Sequence, residues 1–359
     1  MKQPYDIEKL NVMTWLRFPL ILGVVLSHSN LYGLVELWEG TAPDWPAWLI
    51  YIFKELFKII LPLRVPTLFI ISGYLFFRSQ KPRDKGFFIY KYKRRIHSLL
   101  IPYLAWNTIA IAILFARYNI AGGESHTVTE YLSGYWDLSL RDGEDPADGP
   151  LWFMRDLMVV SLLAPLLNTI LRKRKTGILF LIFVTLLDSA RIYIPLTGFS
   201  NTAILFFSIG AYLALHDIDF THIPKAIGIT AFILYIPSQI VLNNMSDSSA
   251  YVSATYDLTG IIKTIATFYI VSLLFRKKVL SPTPRLTKLC FTLYALHGIV
   301  VGPIIKTLYY HIPHSDNPAA LLAIYITTVL TIIALTAILI TKTREYFPRI
   351  SRILSGNRE

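Results

Sequence analysis

"LRFPLILGVVLSH", running from Leu16 to His28, is an apolar stretch with an arginine near one end and a histidine at the other. Eleven positions separate the two ionisable groups. On a helix that interval is three turns and about 20°, with a rise of roughly 16 Å, so Arg17 and His28 share one face at different depths. A soluble helix buries one stripe and wets the other; this run has no wet face. It reads as a membrane span, and the rest of the chain has to be read in that light.

The composition agrees. The chain has 359 residues, of which 54% are hydrophobic, and its mean hydropathy is +0.49. The formal charge of +12 would suit a nucleic-acid partner, but the positions of the Lys and Arg residues argue for a topology signal instead, so no nucleic acid is expected. Cys290 is the single cysteine, which excludes an intramolecular disulfide, a cysteine metal cluster and a CxxC redox motif. The polar start "MKQPYDIEKL" precedes an apolar run without a small-residue cleavage site, so a retained first span is expected rather than a signal peptide.

Apolar stretches able, or nearly able, to cross about 30 Å of hydrocarbon fall near 11–31, 53–77, 98–118, 150–171, 177–195, 200–215, 223–242, 258–275, 286–306 and 319–341. Ten spans place both termini on one side. Charge tests the count independently: "RSQKPRDKGFFIYKYKRR" (78–95) holds eight basic residues, "RKRK" (172–175) four, "RKKVLSPTPRLTK" (276–288) five, and the tail after Thr341 five. The alternate loops contrast, since 32–49 and 307–317 have no Lys or Arg and 119–149 has seven acids against Arg141. Both termini are therefore expected in the cytoplasm; "HDIDFTH" (216–222) is the one cytoplasmic loop without a basic signal. No internal repeat is visible, which weighs against the paired broken helices of many transporters.

Several spans carry groups that are expensive in hydrocarbon. Arg64 lies within "LRVPTLFIISGYLFF" (63–77), ahead of Pro66 and of Ser72-Gly73-Tyr74. An arginine inside a span needs a partner or a hydrated cavity, so Arg64 and Ser72 are taken as substrate-binding candidates against the plainer reading of a kink with a small-residue packing site. In "DGPLWFMRDLMVV" (148–160), Trp152, Arg155 and Asp156 lie on adjoining helix faces at the level of His28. Trp152 alone would pass as an interfacial belt residue; Arg155 and Asp156 need neutralisation, hydration or a task. "LYALHGIVVG" (293–302) places His297 inside the ninth span. The other histidines fall in loops or at interfaces. No nucleotide-binding glycine loop, HExxH motif or nucleophile elbow occurs, so neither a metal nor a covalent serine is expected.

Five motifs, "LRFPLILGVVLSHSN", "VPTLFIISGYLFF", "RRIHSLLIPYLAW", "GPLWFMRDLMVV" and "YALHGIVVG", resemble in order and spacing those of acyltransferase family 3, the integral-membrane O-acyltransferases of bacterial surface glycans. The resemblance implies an all-α polytopic bundle of about ten helices in the bacterial inner membrane, with a transmembrane acyltransferase domain over 1–345 and a basic cytoplasmic tail over 346–359. It implies transfer of an acetyl group from cytoplasmic acetyl-CoA, a substrate rather than a bound cofactor, to a hydroxyl of an extracytoplasmic saccharide or glycolipid. His28 matches the catalytic histidine of the first helix and Arg17 its partner, while an arginine pair before the third helix is associated with the donor. Arg94 and Arg95 stand there, but the second position of that motif falls at His97-Ser98.

Chemistry fills in the remaining roles. Coenzyme A is a polyanion on a long neutral arm, suited to arginines at the inner mouth. Neutral imidazole at the far end takes the acceptor's proton. Asp156 would balance that imidazole, Arg155 the oxyanion, and Trp152 and His297 would line the substrate site. Two alternatives stand beside this reading: another acyl donor or a lipid or small-molecule acceptor on the same fold, and a non-enzymatic glycan transporter or flippase.

Overall fold

A computed structural model describes residues 4–29, 45–51, 64–78, 84–120, 126–137, 145–246, 251–311 and 318–357. The first half of the expected second span, residues 53–63, lies outside these, as does the side chain of Arg64. Helices α1 (Pro4–His28), α2 (Ala47–Tyr51), α3 (Arg64–Phe77) and α4 (Lys85–Arg95) lead into a π-helical turn, Ile96–Leu100, and α5 (Ile101–Ile120). The short α6 (Val128–Ser133) and a 3-10 turn at Gly149–Leu151 precede α7 (Trp152–Leu162) and α8 (Ala164–Leu171). Then come α9 (Arg174–Ser189), α10 (Asn201–Leu215), α11 (Lys225–Asn243), α12 (Val252–Arg276), α13 (Pro284–His311), α14 (Pro318–Tyr346) and α15 (Pro348–Ser355). Among the described residues there is no strand: the chain is an all-α polytopic membrane protein.

Each of the ten expected spans has a helix on it, but they are unequal. By length and hydropathy six helices qualify as spans among the described residues, a seventh if one bent pair is counted together. The expected span over 150–171 is that bent pair: α7 and α8 are separate helices that meet at 61° around Leu163. Pro165 supplies the reason, because it has no N–H to continue the ladder and its ring clashes with a carbonyl one turn back. Residues 346–359, expected as a tail, include α15. Pro348 opens that helix and Gly356 closes it with a left-handed φ of 63°.

The described chain divides into two units. The first comprises residues 1–20, 58–93 and 156–287. Its frame is the crossing of α3 and α10, where Gly73 lies on the backbone of Phe207 and Gly210 on the backbone of Ile70 and Tyr74, an approach that only residues without a side chain permit. Thr67 and Thr264 share a buried hydroxyl hydrogen bond of 2.9 Å between α3 and α12. The second unit comprises 21–57, 94–155 and 288–359. In it Ala110 and Leu114 of α5 pack with Ala147, and Trp106 Nε1–H donates to the Leu354 carbonyl of α15 at 3.0 Å.

Candidate active site

Within the second unit, the last turns of α1 and the middle of α13 bring two histidines together. The rings of His28 and His297 meet edge to face with centroids 5.1 Å apart. His28 ends α1 and is exposed, whereas His297 is completely buried. The end of α1 is pinned from α14, where Tyr325 Oη–H donates to the Leu26 carbonyl at 2.9 Å. An exposed imidazole thus lies beside one that is wholly enclosed.

One ring hydrogen of His297 follows from its backbone. Its Nδ1 lies 3.3 Å from the Leu293 carbonyl, an acceptor only, so Nδ1 carries a hydrogen. Nε2 is buried with no hydrogen-bond partner among the described residues. Aromatic rings continue from it: Tyr294 is 5.9 Å from His297 and Phe153 of α7 is 6.2 Å from Tyr294. Tyr294 Oη–H also donates to the Pro150 carbonyl, which ties α13 to the 3-10 turn before α7.

That turn introduces a residue the sequence reading passed over. Asp148 is 1% exposed, and both carboxylate oxygens lack a hydrogen-bond partner among the described residues. Its N–H donates to Asn107 Oδ1 of α5 at 3.0 Å, and its side chain lies against Gly298, the residue after His297. Burial holds the Asp148 carboxyl well above the usual carboxylate range. In sequence Asp148 is one of seven acids in a loop; the signal for it is the following "GPLW", whose proline-bearing 3-10 turn fixes the carboxyl against α13.

The other expected residues distribute as follows. Arg155, 4% exposed, donates from Nη1 to the Trp136 carbonyl at 2.8 Å and lies 5.9 Å from the Trp136 ring centre. Trp152 opens α7 and is half-buried. Arg94 and Arg95 end α4 at the π turn, also in the second unit. Arg17, Arg64, Ser72 and Asp156 belong to the first unit; Asp156 is buried and Ser72 half-buried. The contacts described here thus bring His28, His297, Tyr294 and Phe153 together in one ring chain, with Asp148 beside His297. No group of three His, Cys, Asp or Glu side chains suited to a metal occurs among the described residues.

A family model described as an acyltransferase domain matches residues 10–337. The chain belongs to acyltransferase family 3. Its multi-pass helical architecture and acyl-transfer class follow from that membership, and both histidines lie inside the matched region. The chain is also 27% identical over 304 residues to the succinoglycan biosynthesis protein ExoH of Rhizobium meliloti (strain 1021), covering 80% of this chain and 77% of that one. No solved structure matches it.

Proposed function

We propose that this acyltransferase moves an acetyl group from acetyl-CoA, bound from the cytoplasm, to a hydroxyl of an extracytoplasmic saccharide, and that His28 is its general base. The observation that carries the proposal is the exposed His28 ring held against the buried His297. The relative named for succinoglycan biosynthesis supports a saccharide acceptor. The basic loops support an orientation with the donor side inside.

The chemistry balances with the side chains present. A sugar hydroxyl gives its proton to His28 as its oxygen attacks the thioester carbonyl carbon, forming a tetrahedral oxyanion. Collapse breaks the C–S bond, and the departing CoA sulfur takes the proton from the imidazolium. Such a base contributes roughly 10²- to 10⁴-fold. His297 positions the His28 ring. Asp148, which burial favours in its neutral form, adds a carboxyl beside His297; the charge-balancing role stays the one proposed for Asp156. Arg155 is the proposed oxyanion partner, its guanidinium being a fixed positive donor. Arg17, Arg64, Ser72, Arg94 and Arg95 remain proposed donor-side residues, and Trp152 a proposed acceptor contact.

The test is direct. Membranes containing the protein are supplied with acetyl-CoA and a bacterial exopolysaccharide, and free CoA is measured. Release that depends on the acceptor supports transfer. Movement of glycan without acetyl-CoA consumption would favour a transporter instead.

A further inference from the structure

The π turn at Ile96–Leu100 has a cause in the sequence. Pro102 has no N–H, so the carbonyl of Ser98, four residues earlier, loses its helical donor, and the proline ring presses on it. The ladder responds by lengthening one step: the Ile101 N–H bonds to the Ile96 carbonyl. One residue is inserted, and Arg94 and Arg95 are rotated relative to α5. Such bulges gather at functional positions and need support from their surroundings.

The support is α15. Gly356, in the left-handed conformation at φ 63°, sits against the Ser98 carbonyl; a methyl there would lie 2.9 Å from Ser98 O and 3.2 Å from Pro102 Cγ. Trp106, one turn beyond Pro102, binds the Leu354 carbonyl. Ser351 and Ser355 are buried, while Arg349 and Arg352 are exposed. A proline thus opens the helix, and a side-chain-free residue from α15 fills the opening.

We infer that α15 is a positioning strap: by seating Gly356 on Ser98 and Leu354 on Trp106, it fixes the rotation of Arg94 and Arg95 and so sets donor affinity. This rests on acetyl-CoA being the donor. α15 does not itself bind the donor.

Titration of acetyl-CoA into the detergent-solubilised full chain, with KM and kcat measured in membranes, tests it. Gly356→Ala and Trp106→Phe are each expected to weaken acetyl-CoA binding and raise its KM by about fivefold or more, with kcat within about twofold. Arg349→Ala with Arg352→Ala is expected to leave both unchanged. Unaltered donor binding in folded Gly356→Ala and Trp106→Phe proteins, or a fall in kcat alone, would overturn the strap. So would an equal rise in KM from the double arginine variant, which would make α15 a direct anion site. Wild-type protein that bound no acetyl-CoA would instead overturn the donor assignment on which the strap depends.

Discussion

The crossing of α3 and α10 makes a quantitative prediction about coupling. A methyl added at Gly210 would stand 2.8 Å from Tyr74 N and from Ile70 C, and one at Gly73 would stand 2.9 Å from Phe207 C, where ordinary contact begins at 3.4 Å. The neighbours are backbone atoms, which cannot swing aside as a side-chain tip can. The carbonyl oxygens of Phe207 and Ile70 are closer still and set the requirement, so the helices must separate by about an ångström or more. Overpacking of this kind costs about 1–3 kcal/mol. Both substitutions demand the same separation, so once the first has opened the crossing the second finds room. Gly73→Ala and Gly210→Ala should each destabilise, and the double variant should fall short of the sum by about 1 kcal/mol. Equilibrium denaturation of purified protein in detergent, run as a double-mutant cycle, measures this. Additive losses would refute the shared-separation reasoning, and no loss in either single variant would refute the close crossing.

Three further outcomes are expected. Gly298→Ala would drive a methyl into Asp148 Oδ1 and to 2.7 Å from Pro150 Cδ, so transfer should fall about tenfold or more while membrane abundance holds, as read by acetyl incorporation against immunoblot. The Asp148 carboxyl is raised in the folded protein. The native state therefore binds the extra proton, and stability contributed at low pH is lost as pH rises from the unfolded value of about 4 toward the folded one. Asp148→Asn should flatten that slope in denaturation curves taken across pH, and an unchanged slope would clear Asp148. In sealed vesicles of known orientation, transfer should require acetyl-CoA on the cytoplasmic face and glycan on the other; undiminished transfer with both confined to the cytoplasmic face would contradict delivery across the membrane.

What the sequence showed and what it hid have separate physical causes. Hydrocarbon thickness and backbone satisfaction act locally, so apolar length alone located a helix at every expected span. Pro165 announces the break at Leu163, and Pro348 with Gly356 announces α15, so both were legible in a closer reading. His28 and His297 were each conspicuous as ionisable groups in apolar runs. Their meeting was not legible, because it depends on the packing of α1 and α13, which are separated by most of the chain. Asp148 was hidden among acids of an exposed-looking loop. Only the tertiary seat against Gly298 distinguishes it from its neighbours.

The central claim is that His28 performs the transfer. It ends a helix and is exposed, so His28→Ala removes an imidazole without opening a packed core. Mass spectrometry of surface glycan from cells making wild-type protein or His28→Ala, at matched membrane abundance, tests this most directly. Acetylation is expected in the wild type and to fall by about 10²-fold or more in the variant. Near-normal acetylation of the glycan by His28→Ala would contradict the account.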